Sequence, residues 1–232
     1  MLADVRQRIE RACARAGRDV AEVRLVAVTK GHDAEAVRTA LLDRGQRVLG
    51  ESRVQEWRTK AEALGPEVEW HLVGHLQTNK VRYCRDFALL HGVDSARLVA
   101  ALEADGARHD HVFPVLLQVN VAGEDSKYGA DPGDLEDLVA RVRDAPHVRL
   151  EGLMTMAPYA TDPELARPHF RALRALAERH ADGRTSMGMS GDFEVAIEEG
   201  ATWIRVGTAL FAAGPADAAR PADAARPAGR NP

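Results

Sequence analysis

The chain has 232 residues, of which 45% are hydrophobic, and its net charge at pH 7 is −4. This length suits one large α/β barrel or two small domains, and a slightly acidic chain without a basic block argues against nucleic acid as the main partner. With only two cysteines, a charged N-terminus and no apolar run near the ~18 residues that span a bilayer, we expect a cytoplasmic protein without a membrane partner.

Strands alternate with helices along the sequence. An amphipathic helix over residues 2–16 ends at Gly17 and is followed by a strand, Val23–Lys30. The later predicted strands are Arg47–Glu51, Trp70–Gly74, Ala88–Asp94, Pro114–Asn120, Val148–Met154, Thr185–Met189 and Trp203–Gly207. The helices between them are predicted at His32–Leu42, from Val54 to an end at Gly65-Pro66, at Asn79–Asp86, after the cap Ser95, and at Leu135–Val142, Glu164–His180 and Asp192–Glu199.

About eight strands that alternate with helices favour an α/β fold, a single parallel TIM-type (β/α)8 barrel with an extra N-terminal helix. A doubly wound sheet is the competitor, but no Gly-x-Gly-x-x-Gly follows the first strand. We assign residues 1–214 to the barrel. Residues 215–232 repeat Pro-Ala-Asp-Ala-Ala-Arg and lack large apolar residues, so we predict a disordered tail. We expect a monomer or a weak dimer.

Lys30 is the unusual residue of the first strand, because it ends an apolar run. The chain has four lysines among 31 basic residues, so arginine is used wherever a plain positive charge suffices. A partly desolvated lysine at the end of a buried strand is a candidate nucleophile that forms a Schiff base with an aldehyde. The alternative is a lysine that extends to solvent.

The last two βα units contain a candidate phosphate site. Small residues, Ser190 and Gly191 among them, lead from the seventh strand towards a helix N-terminus that suits an anion. Gly207 and Thr208 add a second close approach of the backbone and a hydroxyl group. Barrels often bind phosphate after strands seven and eight, although a simple helix cap at Ser190 or Asp192 would give the same pattern.

A nucleophilic lysine and a phosphate site together suggest a phosphorylated aldehyde, of which pyridoxal 5′-phosphate (PLP) is the commonest cofactor. Arg205 lies two residues before Gly207 and therefore faces the same side of its strand. If Arg205 reaches the pyridine nitrogen, this cation keeps that nitrogen unprotonated and makes the ring a poor electron sink.

Several long motifs resemble the PLP homeostasis proteins, the YggS/PROSC-type family, whose fold is like the N-terminal barrel domain of alanine racemase. The matching runs are Ala27–Lys30, Gly50–Glu56, Trp70–Lys80, Gly152–Pro158, Ser186–Ser190 with Asp192, and Ile204–Phe211. The likeness extends from residue 2 to residue 214.

The resemblance implies that Lys30 carries PLP, that Ser190, Gly207 and Thr208 hold the phosphate, and that Arg205 faces the pyridine nitrogen. Two departures are visible. The family usually has asparagine at the position of Ser52, and it commonly has a proline shortly after its lysine, where this chain has Gly31-His32-Asp33.

Other residues allow further interpretations. His71 and His75 flank Gly74, but their spacing and the absence of a partner cluster argue against a metal site. Glu51 is a candidate acid–base group or a salt-bridge partner of Arg53 or Lys80. Lys127 lies in a loop and either accepts PLP transiently or is a solvated charge.

Three functional classes follow: a PLP carrier that supplies apo PLP-dependent enzymes, a PLP-dependent racemase, and an aldolase-like barrel. A lysine on the first strand and PLP-family motifs disfavour the aldolase. A two-base racemase needs a second proton donor, which alanine racemase takes from a second domain. We therefore expect a carrier without substantial turnover of amino acids.

Overall fold

Eight parallel strands follow one another and close into a barrel. A computed structural model describes residues 1–124 and 128–211, and within these the strands pair in chain order, with the eighth pairing back onto the first. The strands are β1 Arg24–Val28, β2 Val48–Glu51, β3 Glu69–Leu72, β4 Leu89–Val93, β5 Phe113–Gln118, β6 Val148–Met154, β7 Thr185–Ser186 and β8 Trp203–Val206. The predicted TIM-type barrel is confirmed. The predicted boundary at residue 214 and the tail 215–232 lie outside the described residues.

Helices surround the strands. The α-helices are α1 Leu2–Ala16, α2 Ala34–Ala40, α3 Val54–Leu64, α4 Ala96–His109, α5 Leu135–Arg143, α6 Arg167–His180 and α7 Phe193–Glu198. Short 3₁₀ turns lie at Val20–Glu22, Leu42–Arg44, Thr78–Tyr83, Pro132–Asp134, Pro163–Ala166 and Thr208–Leu210.

The extra helix α1 is confirmed and packs against α7. Its apolar stripe is buried, and it ends at Gly17 in the left-handed conformation, with φ 64°. Two ion pairs connect the helices at their edges, Arg8 with Glu194 at 3.2 Å and Arg15 with Glu198 at 2.8 Å. Because α7 directly follows the Ser190 segment, this packing supports one wall of the candidate site.

The barrel wall separates two groups of side chains, because neighbouring residues of a strand point to opposite faces. A small apolar group fills the interior, and its buried members are Val26, Leu89, Leu116, Met154 and Trp203. A larger apolar core lies between the strands and the helices. Polar side chains that share the strand parity of the small group also lie inside, and among these are His71, His91, Ser186 and Arg205.

Several predicted elements are shorter in the structure. β1 stops at Val28 rather than at Lys30, and the predicted helix Asn79–Asp86 is the 3₁₀ turn Thr78–Tyr83. The predicted strand Thr185–Met189 is reduced to two residues. Gly188 explains the last difference: it has φ 88°, and a Cβ there would lie 2.5 Å from the Cβ of Ala196, so the chain leaves the sheet to pass close to α7.

Candidate functional site

The predicted site residues after β1, β7 and β8 lie at the same end of the barrel. Lys30 follows the carboxyl end of β1, and Gly207 follows that of β8. These strands are neighbours, with Ala27 paired to Val206. A Cβ added at Gly207 would lie 3.4 Å from the carbonyl oxygen of Val28. The closure of the barrel therefore brings the lysine and the glycine segment together although they lie 177 positions apart in sequence.

Lys30 has an exposed side chain, and no hydrogen bond or ion pair joins its amine to another residue in the described part of the chain. The expectation of a partly desolvated lysine is therefore wrong. The reason is local, because the chain turns at Gly31, which has φ 79°, and the amide of His32 donates to the carbonyl of Thr29. The amine is thus accessible from the barrel mouth.

A buried polar cluster supports the backbone just before Lys30. Lys60 of α3 donates to the carbonyl oxygen of Thr29 at 2.6 Å, and it also forms a close ion pair with Glu51. The hydroxyl of Thr29 donates to the same carboxylate at 2.6 Å. Glu51 is fully buried and Lys60 nearly so. The prediction that Arg53 or Lys80 pairs with Glu51 is wrong, because Lys60 is its ion-pair partner. In the sequence, only the scarcity of lysine pointed to Lys60.

Arg205 lies inside the barrel and is 4% exposed. Its Nη1 donates to the Ser186 hydroxyl at 2.6 Å, and its Nη2 donates to the carbonyl of Thr155 at 2.9 Å. Burial lowers the pKa of Arg205 to about 10, and the nearby Asp192 carboxylate acts in the opposite direction. The guanidinium is therefore a cation at neutral pH with three of its five N–H groups free of these two bonds.

The Ser190 hydroxyl accepts hydrogen bonds from backbone amides of the segment after β8. Its Oγ accepts from the amide of Gly207 at 3.2 Å and from the amide of Ala209 at 3.5 Å. Thr208, between them, is exposed. These amides, rather than the start of the six-residue α7, are the donors beside Ser190. Sequence reasoning missed Ala209, because an alanine carries no chemical signal and contributes only its backbone.

The loop before α7 holds Ser190 in place. The Asp192 carboxylate accepts from the amide of Met189 at 2.6 Å, and the amide of Phe193 donates to the carbonyl of Met189. Burial raises the pKa of the Asp192 carboxyl, while the Met189 amide and Arg205 favour its charged form. Gly191 is exposed, at the tip of this loop. Asp192 thus fixes a tight turn that presents the Ser190 hydroxyl to the mouth.

His71 and His75, the two histidines considered as metal ligands, have different surroundings. His71 is buried and contacts His91 and Glu69, each at 2.9 Å. His75 lies on the rim, 3.4 Å from Asp94 and stacked on Tyr128. Among residues 1–124 and 128–211, no three His, Cys, Asp or Glu side chains are grouped to hold a metal ion.

Ser52 and His32, where the sequence departs from the family pattern, both lie at the mouth of the barrel. Ser52, at the family's usual asparagine position, is half-buried, and its amide donates to the Glu51 carboxylate at 3.2 Å. His32, where the sequence lacks the family's proline, stacks on Phe211 with ring centroids 3.7 Å apart. Lys127 lies outside the described residues. Within the described ranges no helix is long and apolar enough to cross a membrane.

A barrel of this topology with a lysine after its first strand defines an alanine racemase-like class of protein. The chain belongs to the family described as alanine racemase, N-terminal domain, whose model matches residues 1–215. It is 43% identical to the pyridoxal phosphate homeostasis protein of Aquifex aeolicus, and that match covers 90% of this chain and 95% of that protein.

Two solved structures share the fold at similar identity. A protein of Bifidobacterium adolescentis has a TM-score of 0.84 and 34% identity over 90% of this chain and 92% of its own. PipY of Synechococcus elongatus PCC7942, solved with PLP bound, has a TM-score of 0.77 and 36% identity over 88% of this chain and 100% of its own.

Proposed function

We propose that this protein binds PLP at the C-terminal end of the barrel and takes part in PLP homeostasis. The observation that carries the proposal is the similarity to PipY, a protein solved with PLP bound, over nearly the whole barrel. The pyridoxal phosphate homeostasis proteins among its relatives support the same function.

The residues at the barrel mouth fit the three chemical parts of this cofactor. PLP supplies an aldehyde that condenses with amines, a phosphate group and an electron-withdrawing pyridine ring. Lys30 offers an exposed amine for the aldehyde. For the phosphate, the amides of Gly207 and Ala209 converge on the Ser190 hydroxyl, which is itself a donor, and Gly191 and Thr208 flank them.

Arg205 is the residue that we assign to the pyridine nitrogen. An arginine has donors only and is a cation at neutral pH, so it would hold that nitrogen as an unprotonated acceptor. An unprotonated ring withdraws fewer electrons from a bound amine. The site therefore favours holding the cofactor over converting amino acids, and no substantial turnover is expected.

The exposed amine of Lys30 is suited to exchange. A carrier must release its cofactor to the amine of an apo PLP-dependent enzyme, and an amine that is accessible at the mouth can be approached by another amine. Thr29, immediately before it, is anchored by Lys60, so the backbone at Lys30 remains fixed while the side chain is free. Apo PLP-dependent enzymes are therefore the proposed recipients.

Chemical trapping tests the assignment of Lys30. Protein incubated with PLP and reduced with borohydride should carry the pyridoxyl label on Lys30, as located by peptide mass spectrometry. Lys30→Arg should lose both the label and the visible absorption band, whereas the control Lys80→Arg should keep them. A label on Lys60 or Lys80 with none on Lys30 would contradict the assignment.

A PLP-dependent racemase is the alternative, favoured by the family and by a titratable pair on the rim, where Tyr128 stacks on His75 at 4.1 Å. Exchange of the α-proton of each amino acid into heavy water separates the two. The carrier predicts negligible exchange, whereas rapid exchange that Lys30→Ala abolishes would establish the enzyme.

A further inference from the structure

Five side chains form a continuous hydrogen-bonded chain through the barrel interior. Glu69 Oε1 lies 2.9 Å from His71 Nε2, and His71 Nδ1 lies 2.9 Å from His91 Nε2. His91 Nδ1 lies 2.9 Å from Ser186 Oγ, which accepts from Arg205 Nη1 at 2.6 Å. This hydrogen-bonded chain starts with Glu69 at the amino-terminal end of β3 and reaches the candidate site at Arg205.

The middle of this chain is closed to solvent. His71 is 1% exposed, and His91 and Ser186 are fully buried. Polar groups in such an interior are costly unless each finds a partner. Here both nitrogens of each histidine and the serine hydroxyl are engaged. Among the described residues, no hydrogen bond joins these three side chains to Ser190, Gly207 or Ala209, so the phosphate site does not explain them.

The carboxylate end fixes the direction of the bonds when both rings are neutral. Glu69 can only accept, so His71 donates from Nε2 and accepts at Nδ1. His91 therefore carries its proton on Nε2, donates it to His71 and accepts at Nδ1. Ser186 Oγ then gives its single proton to His91 Nδ1 and accepts from Arg205, which has only donors. The cationic end is consistent with this order.

A second proton on either histidine would break the order. It would set two N–H groups against each other between His71 and His91, or place one against the Ser186 hydroxyl proton. Burial also lowers the pKa of both histidines. We therefore expect two neutral rings, each with its proton on Nε2.

We propose that His71, His91 and Ser186 are positioning residues that hold Arg205 in one orientation towards the ligand at the barrel mouth. The inference rests on the proposed function for the identity of that ligand. Ser186 and the carbonyl of Thr155 occupy one N–H on each terminal nitrogen of the guanidinium, so its remaining N–H groups are those available to the ligand. The chain is anchored at the far end by Glu69, which also accepts from Arg24 at 3.0 Å.

The first test needs no cofactor chemistry. Full-length protein with 15N-labelled histidine is examined by long-range 1H–15N correlation spectra, before and after PLP is added. His71 and His91 should both be neutral with the proton on Nε2. A proton on Nδ1 of either ring, or a charged ring at neutral pH, would overturn the proposed order.

The second test breaks the chain at the residue next to Arg205. Ser186→Ala should weaken PLP binding about tenfold and shift the absorption maximum of the bound cofactor, because one anchor of the guanidinium is lost. Ser186→Thr retains a hydroxyl and should restore both. Thr185→Val is the matched control. Thr185 is equally buried on β7, but its hydroxyl donates to the carbonyl of Gly200, which is not part of the hydrogen-bonded series.

The outcomes separate this inference from the proposed function. Equal effects of Ser186→Ala and Thr185→Val on affinity and absorption would reject the positioning role and leave PLP binding intact. If the wild-type protein fails to bind PLP, the proposed function and the role of Arg205 towards it are both rejected, while the histidine spectra still decide the order of the chain. The spectra of the wild type keep the proposal testable even if Ser186→Ala does not fold.

Discussion

Lys60 donates a hydrogen bond from its buried ammonium group to the carbonyl of Thr29 at 2.6 Å, one residue before Lys30. The same ammonium pairs with Glu51, so a single lysine of α3 satisfies both a backbone carbonyl and a buried carboxylate. These contacts lie on the outer face of the barrel wall, whereas the hydrogen-bonded side chains from Glu69 to Arg205 lie in the barrel interior. The candidate site is thus supported separately from each side.

Removal of the Lys60 charge should destabilise the protein strongly. Lys60→Met leaves the Glu51 carboxylate buried without its ion-pair partner, and breaking a buried pair in this way costs about 3–5 kcal/mol. Urea denaturation measures the loss. Lys80→Met is the control and should change the free energy of unfolding by less than about 0.5 kcal/mol. Similar losses for the two variants would show that the buried pair is not important for stability.

Ser190 and Thr208 should contribute unequally to phosphate binding. Ser190→Ala removes a half-buried hydroxyl that two backbone amides share, so PLP should bind about ten- to a hundredfold more weakly. Thr208 is exposed, so Thr208→Ala should also weaken PLP binding, but by less than Ser190→Ala does. Affinities are measured by titration of the absorption band. Pyridoxal, which lacks the phosphate, is the control ligand and should respond little; equal losses for both ligands would place these hydroxyls elsewhere.

Gly188 should tolerate no side chain. Gly188→Ala would put a Cβ in the left-handed region and 2.5 Å from the Cβ of Ala196, and backbone strain of this kind costs about 1–3 kcal/mol before any overpacking is added. Thermal unfolding measures the effect. Gly191→Ala is the control for stability, since a Cβ there meets nothing within 4 Å. The explanation given for the short β7 fails if both variants unfold at the wild-type temperature.

The two histidines inside the barrel should make the protein sensitive to acid. Both have a pKa below the ordinary value of 6.5, so the unfolded chain binds their protons first. The stability that these neutral rings give is complete above about pH 6.5 and is lost as the pH falls towards the folded pKa of each ring, by at most about 1.4 kcal/mol per pH unit for each ring. Urea midpoints at pH 7, 6 and 5 report this slope. His91→Gln should reduce the slope by one ring's share, and an unchanged slope would mean that His91 is protonated in the folded protein.

Sequence patterns predict the barrel that carries the site better than they predict the buried side-chain contacts beneath it. The alternation of strands and helices predicts the barrel, and the strand parity of Arg205 and Gly207 places them on its inner side. The contact of His71 with His91 depends on how neighbouring strands are staggered, which no local pattern records. The pair of Lys60 and Glu51 joins a helix to a strand, and its geometry follows only once both have packed.

The burial of Lys60 also bears on selectivity among amines. Of the three lysines that the structure describes, Lys60 is engaged in an ion pair, Lys80 is half-buried and only Lys30 is exposed. The 27 arginines of the chain present guanidinium groups, which stay charged and are poor partners for aldehydes. An aldehyde that approaches this surface therefore meets few rival amines. Among these three lysines, labelling should therefore favour Lys30 over Lys60 and Lys80, even when the aldehyde is in excess.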